Sequence, residues 1–324
     1  MLRVAFGLFC SLVMLYAEHS PALAQSFPNK TIRIVVPFGP GGPADLAGRL
    51  IAQILQAELK QSVVVENKPG AGGSTGTKSV AVAEPDGYTL LLGASSTLAV
   101  VPAIMKSPGF DPVKSFVAVS RVSDSATILI VHPDFPANTI KDLVAYGKAN
   151  PGKLSYASAG AGSQTQLEPE LLNAKTGLGA IHIPYKSGGE MATAVLTQQV
   201  QFSLPDISIL LGLIQDKKVK PLAVTSGARH PQLPNVPTME ESGVPGFVTG
   251  YWTGIVAPAG TPPEIIATLN GAIVRGLKSQ SVQDMLARIG GQTHPSTAED
   301  FGRFIATEQS KWIQIVKTAG INPE

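Results

Sequence analysis

Cysteine is all but missing from this chain. The single one among 324 residues, Cys10, lies in an apolar N-terminal run. That run reads as a secretion signal. Arg3 gives a short positive start, residues 4–16 an apolar core, and Pro21-Ala22-Leu23-Ala24 a small-residue cleavage site before Gln25. Cys10 leaves with the signal, so disulfides, thiol catalysis and cysteine-ligated metal are excluded from the exported chain. Charge is scarce too, at 15% of residues, and Lys+Arg 25 against Asp+Glu 23 leaves only +2. With no basic run interleaved with aromatics, nucleic acid is not an expected partner. The signal is too short for an ordinary membrane span, and no second stretch is apolar enough for one. His132, His182, His230 and His294 show no metal-ligand spacing, so neither metal nor cofactor is expected.

What remains is about 300 residues, enough for two domains. Residues 31–37 read as a strand, 38–45 as a glycine-proline loop, and 46–60 as an amphipathic helix with Leu46, Leu50, Ile54 and Leu55 on one stripe. A strand, a Gly-rich turn and a helix N-terminus make an anion site, because free N–H groups and the helix dipole favour negative charge. Strands over 62–66 and 88–92 and helices over 74–83 and 98–105 continue a β-α-β-α-β pattern, which predicts a parallel sheet. A second unit begins near 126, with strands over 128–131, 154–157, 180–184, 200–204 and 221–225. Its helices fall over 139–150, 164–176, 188–197 and 209–215. A Pro-punctuated stretch follows (Pro231, Pro234, Pro237, Pro245), then a strand over 251–258 and helices over 263–279, 282–289 and 297–318, the last capped by Thr297 and Asp300.

Three loops, 38–45, 93–97 and 158–165, each follow a strand and open a helix. In open α/β sheets such loops gather where ligands bind. None holds Lys or Arg, so a carboxylate there would be held by backbone N–H, by hydroxyls and by water. Ser95 and Ser96 supply hydroxyls in the middle loop. Asp206, at the end of a strand, suits either a ligand contact or a helix N-cap. Asp45 reads as structural, shaping its loop, and Tyr185, Tyr251 and Trp252 could wall a pocket. Gly72-Gly73-Ser74-Thr75-Gly76 fits the G-x-S-x-G pattern, which leaves a secreted serine hydrolase using Ser74 as an alternative, although no strand directly precedes it. Gly160-Ala161-Gly162 lacks the third glycine of a dinucleotide fingerprint.

Pro37-Phe38-Gly39-Pro40-Gly41-Gly42-Pro43-Ala44-Asp45, Val65-Glu66-Asn67-Lys68-Pro69-Gly70-Ala71-Gly72-Gly73, Pro85-Asp86-Gly87-Tyr88-Thr89-Leu90, Tyr156-Ala157-Ser158-Ala159-Gly160, Ile183-Pro184-Tyr185-Lys186 and Ala257-Pro258-Ala259-Gly260-Thr261-Pro262 stand in an order kept over nearly the whole mature chain. In these motifs the sequence resembles the Bug, or tripartite tricarboxylate transporter receptor, family of periplasmic solute-binding proteins. The resemblance implies an α/β fold, a type II two-lobe clamshell, each lobe a mostly parallel sheet flanked by helices. It implies a signal peptide over 1–24, one lobe from 25–127 plus 227–324, and the other from 128–226. It implies a monomeric receptor without catalysis that binds a small-molecule carboxylate and delivers it to membrane permease subunits; a solute sensor for a membrane signalling protein is the other alternative. The ligand-binding residues implied are Phe38, Gly39, Gly41, Gly42 and Ala44 with Ser95 and Ser96 on one side. Ser158, Gly160, Ser163, Gln164, Thr165, Tyr185 and Asp206 face them on the other. Ser163 to Leu167 and Leu204 to Asp206 depart from the family's usual T-S-S-H-L and F-D-N, which leaves the solute open.

Overall fold

A computed structural model describes residues 27–288 and 290–322; the expected signal segment and its cleavage site lie outside the described residues. β1 (Ile32–Val36) enters a glycine-proline loop and α1 (Pro43–Leu59). Pro43 at the first helical position has the right φ and lacks only an N–H that no helix partner would take. β2 (Val63–Asn67), α2 (Ser74–Ala81) and β3 (Thr89–Ala94) follow, and a π-turn over Ser96–Val100 leads into α3 (Val101–Ile104). β4 is Phe116–Ser125. The middle of the chain gives β5 (Ile128–Val131), α4 (Ile140–Ala149), β6 (Ser155–Ser158), α5 (Gln164–Thr176), β7 (Ile181–Pro184), α6 (Gly188–Leu196), β8 (Phe202–Ser203), α7 (Ile207–Gln215) and β9 (Lys220–Val224). The rest gives β10 (Tyr251–Pro258), α8 (Pro263–Leu277), α9 (Gln280–Arg288), β11 (Gln292–Thr293) and α10 (Ala298–Thr318).

Two sheets result. One is six-stranded in the order β11-β4-β10-β3-β1-β2 and takes strands from both ends of the chain; the other is five-stranded in the order β7-β6-β8-β5-β9 and takes the middle. Both are mixed, where mostly parallel sheets were expected. β1 runs parallel to β2 and β3, but β10 is antiparallel to β3 and β4. β6 runs parallel to β7 and β8, but β5 is antiparallel to β8 and β9. The reason is connectivity: β4 runs directly into β5, so the chain changes sheet without a crossover helix, and β10 enters its sheet on the return.

The stripe of α1 buries Leu50, Ile51, Ile54 and Leu55, while Leu46, expected on it, is 49% exposed. Gly48 lets the helix lie close on β1, since a Cβ there would meet Val36 Cγ2 at 2.6 Å. The Pro-punctuated stretch lies along β9, with Val224 N donating to Pro237 O and Met239 N to Val224 O, both at 2.9 Å. The chain therefore returns to the larger sheet only past Phe247. α10 packs on β4, the π-turn and α3, and also on α5 beyond the larger sheet, so one apolar cluster runs through both lobes.

Where β10 passes under α10, Gly254 faces Phe301. Trp252, Phe301 and Phe304 form an aromatic group, with Trp252 5.7 and 5.3 Å from the other two ring centres. A Cβ at residue 254 would stand 2.1 Å from Phe301 Cζ. Gly254→Ala is expected to cost about 1–3 kcal/mol through overpacking. Urea unfolding measures it, and an unchanged midpoint would show that the ring can move aside.

Candidate functional site

The loop after β1 is organised by Asp45. Its carboxylate accepts from Gly41 N (2.9 Å), Arg49 Nε (2.9 Å) and Asn67 Nδ2 (2.9 Å). Asn67, at the end of β2, also donates to Phe38 O at 3.0 Å, so the neighbouring strand ties both ends of the loop. Gly41 takes φ 85°, which glycine adopts at little cost. Phe38 is half-buried, Gly39 and Gly41 are exposed, and Gly42 is the side-chain-less N-cap of α1. Leu46 N is the first amide of α1 to reach a carbonyl, Gly42 O at 3.0 Å. Among the described residues, the amides of Ala44 and Asp45 therefore have no partner. Gly41 N is committed to Asp45, so the loop offers an anion the first turn of the helix rather than its glycines.

The loop after β6 is knitted to itself. Ser158 Oγ meets His182 Nε2 at 2.6 Å and accepts Gly160 N at 3.0 Å. Ser163 Oγ donates to Gly160 O at 2.7 Å and meets Thr165 Oγ1 at 2.9 Å, and Thr165 Oγ1 accepts Ala159 N at 2.9 Å. These hydroxyls shape the loop and present the start of α5. Ser95 and Gln164 join the two lobes directly: Ser95 Oγ donates to Gln164 Oε1 at 2.8 Å. Gly162 lies against Ile104 on the same side, where an added Cβ would be 2.7 Å from Ile104 Cδ1. Ser96 Oγ is buried without a partner. Tyr185 follows the edge strand β7 and lies beside the loop after β6, its N donating to Ser158 O at 2.8 Å and its hydroxyl to Gln199 Oε1 at 3.3 Å.

On the other side the lobes leave a cleft of about 410 Å³. α1 contributes Pro43, Leu46 and Arg49 to it, β4 contributes Ser123 and Ser125, and β10 contributes Tyr251 and Thr253. The start of α7 contributes Asp206 and Ser208, and α9 Met285. Asp206 takes the N-cap position of α7, accepting from Ser208 N at 2.8 Å, and also faces the cleft. Burial raises its pKa, against hydrogen bonds from Ser208 and Ser125. Of the three candidate wall aromatics, Tyr251 lines the cleft, Trp252 is core, and Tyr185 is not among the lining residues. A second cavity, of about 430 Å³, is lined by β4, β10 and the stretch after β9, and shares Asp124, Ser125 and Tyr251 with the first. Its charged lining residues form ion pairs, Arg121 with Asp124, Lys311 with Glu308 and Arg229 with Glu241, while Arg121 Nε is buried without a hydrogen-bond partner among the described residues.

The residue that sequence reading passed over is Glu168. It is fully buried where the chain crosses between sheets. Thr127 Oγ1 donates to Oε2 at 2.8 Å and Gln164 Nε2 to Oε1 at 2.9 Å, while Thr127 Oγ1 also meets Thr225 Oγ1 at 2.7 Å. The signal available was an acid one helical turn after Gln164, on the helix face that the loop presents. Ser74, by contrast, gives its Oγ to Met105 Sδ at 3.5 Å and is buried, with no histidine among its partners. The glycines around it serve packing, since a Cβ on Gly76 would lie 2.7 Å from Lys68 O.

Comparison with known proteins places this geometry. A family profile described as "Tripartite tricarboxylate transporter family receptor" matches residues 47–321. Protein BugT of Bordetella pertussis is 37% identical over 302 residues, 93% of each chain. Rpa4515 of R. palustris, solved with adipate, is 32% identical at a TM-score of 0.82, covering 92% of this chain and all of its own. The periplasmic binding protein BugD is 36% identical at 0.79, again covering 92% of this chain and all of its own.

Two buried acids give opposite pH signatures. The hydrogen bond from Arg49 holds Asp45 down at about 2 against burial, helped by Gly41 and Asn67. The folded value lies below the unfolded ~3.9. The stabilisation is therefore present above ~4 and is lost as pH falls through about 2. Arg49 is half exposed, so solvent screening lowers the expected cost of Asp45→Asn at neutral pH to about 1–2 kcal/mol, shrinking in acid. Burial pushes Glu168 up to about 7, against Gln164, Thr127, Thr249 and the charge of Lys311. Here the folded value exceeds the unfolded ~4.3, so the proton-linked stability is full below ~4 and is lost as pH rises through about 7. Glu168→Gln is expected to be near neutral in mild acid and to stabilise by about 1–3 kcal/mol above neutrality. Urea midpoints measured across pH check both signs.

Proposed function

The chain belongs to the family of tripartite tricarboxylate transporter receptors, and from that premise we propose that it is an exported periplasmic receptor. It holds a small carboxylate between its lobes, leaves it chemically unchanged, and hands it to the membrane subunits of a tripartite transporter. The observation that carries this reading is the first turn of α1, whose Ala44 and Asp45 amides lack partners among the described residues and whose Pro43 and Leu46 line an interlobe cleft. The helix dipole favours an anion there without a lysine or arginine. The adipate bound by a relative of 32% identity fits the same chemistry.

In this reading Phe38 to Ala44 form the anion half of the site, with Gly39, Gly41 and Gly42 keeping side chains out of the solute's way. Ser95, Ser96 and Gln164 sit at the seam where the lobes already touch. Ser158, Gly160, Ser163 and Thr165 hold the opposing loop in shape, and Asp206 meets the far end of the solute. The lobes, 25–127 with the C-terminal part and the middle part from 128, turn about Ser125 to Thr127 and Thr249 to Tyr251. The Pro-punctuated stretch travels with the middle lobe, because it is hydrogen-bonded along β9. Closure about two such crossings is hinge motion.

A panel of short carboxylates, each titrated against denaturant unfolding, tests the proposal. A bound solute at 100 times its dissociation constant should add ~2.7 kcal/mol of stability. A panel without any stabilising member would count against a carboxylate receptor.

A further inference from the structure

Where the chain passes between the sheets, three segments lie side by side. Thr225 N donates to Thr127 O and Thr249 N to Thr225 O, both at 3.0 Å. Glu168, on α5, is fully buried against this crossing. From it a row of side chains runs to the other lobe. Gln164 Nε2 donates to its Oε1 at 2.9 Å, and Gln164 Oε1 accepts Ser95 Oγ at 2.8 Å. Gln164 thus lies between the carboxyl and a contact that would part if the lobes opened. In the other direction Thr127 Oγ1 stands 2.8 Å from Glu168 Oε2 and 2.7 Å from Thr225 Oγ1, which reaches back to Thr127 O at 3.2 Å. Each hydroxyl both donates and accepts, so this row can reverse. An ionised Glu168 takes hydrogens from Gln164 and Thr127. A protonated one gives its own to Thr127 Oγ1, which passes a hydrogen to Thr225 Oγ1 and so on to Thr127 O. Both forms are bonded, and only one is charged.

A buried charge is costly unless it is compensated, and water is the compensation that an opened seam would supply. Among the described residues the compensation in place is thin. From α10, Lys311 acts on Glu168 but is already paired with Glu308, which also accepts Trp252 Nε1 at 3.0 Å. Asp206, bridged to Thr127 through the backbone, is another acid and is bonded to Ser125 and Ser208. On the β6 side Tyr156 gives its hydroxyl to Glu170, and His182, whose proton affinity burial lowers, is bonded to Ser158. We propose that Glu168 is a proton-controlled catch between the lobes: protonated, it lets the Ser95–Gln164 contact stay shut, and ionised, it favours an open arrangement in which water reaches it. Burial outweighs Gln164, Thr127, Thr249 and Lys311 and lifts the carboxyl of the shut state up to about 7. The shut state is therefore favoured below that value and loses its advantage as pH rises through it. The catch needs the hinge of the reading above and no particular solute.

Distance measurement between two spin labels on the mature protein tests this without a solute. β2 and β7 are edge strands, far in strand order from the crossing at β4 and β5, and their Val64 and Ile181 are exposed. With Cys10 gone, Val64→Cys and Ile181→Cys carry the only labels. Between pH ~5.5 and ~8.5 the ratio of long to short distances should rise about tenfold, the effect of a tenfold difference in proton affinity between the two states. Glu168→Gln should hold the low-pH distribution throughout. Ser95→Ala, which removes the interlobe bond, should raise the long-distance share at every pH and keep its pH dependence. With isotope-labelled glutamate, the infrared band of a protonated carboxyl should fade over the same range. Distances that ignore pH in both the wild-type protein and Ser95→Ala overturn the proposal, as does a pH response that persists in Glu168→Gln. If Glu168→Gln fails to fold, a wild-type distance change without fading of that band overturns it. Distances that respond to neither pH nor Ser95→Ala remove the hinge as well, whereas a response to Ser95→Ala alone removes only the proton link.

Discussion

The whole arrangement depends on an acid that is kept away from the place where it would do harm. Asp45 lies in the first turn of α1, next to the amides that an anion would use. Left loose, its charge would oppose that anion. Three donors from three places hold it instead: Gly41 from the loop, Asn67 from the next strand and Arg49 one helical turn on. The glycine-proline loop is thereby given one shape, and the helix dipole is left for something from outside. Other glycines extend the constraint. Gly73 lets the loop after β2 lie against Thr97 and Phe38, where a Cβ would be 2.5 Å from Thr97 Cγ2. The donor-rich corner is therefore packed before any solute arrives, which lowers the ordering cost of binding.

The two sides of the interlobe space are built by opposite means. On one side Ser95, Gln164, Glu168, Thr127 and Thr225 form a continuous polar chain from the larger sheet, through the start of α5, to the crossing strands. A buried acid within it is expensive unless it is protonated or fully supplied with donors. Its neighbours supply hydrogen bonds, yet burial still dominates. That side is stitched shut. On the other side α1, α7 and α9 each contribute to the lining of the cleft, with exposed Leu46 and Met285 among its walls.

Much was legible because local signals agreed. The strand-loop-helix over 32–59, the helix over 164–176 and the strand over 251–258 follow from periodicity and from Gly and Pro punctuation. β4 was not legible. Its sequence Phe116–Ser125 mixes Arg121, Asp124 and several serines into the run, and two register shifts against β10 break the alternation that would mark a strand. The antiparallel entry of β10 was hidden for a related reason, since strand direction is a property of the connection and not of the strand. Leu46 fitted the helix stripe by spacing, but the stripe of α1 is wider than the surface it packs on, so one member is left facing the cleft. Asp206 was legible as a helix cap, because a short acid before a helix accepts from the first free amides.

By itself the sequence determined the alternation of strand and helix and the placement of the Gly-, Ser- and Thr-rich loops. These rest on short-range causes: covalent geometry, hydrophobic periodicity and helix capping. Only the tertiary structure decided that Gly41 serves Asp45, that the serines of the second loop bond one another, and that Ser95 reaches Gln164. It alone put Glu168 in the dry seam and Asp206 on the open cleft. Some of these pairings are local, as Gly41 with Asp45 is, while others join groups far apart in the chain, as Ser95 and Gln164 are, 69 residues apart. A hydrogen-bond donor has no way to signal in sequence whether a partner from a distant strand will satisfy it or a solute must.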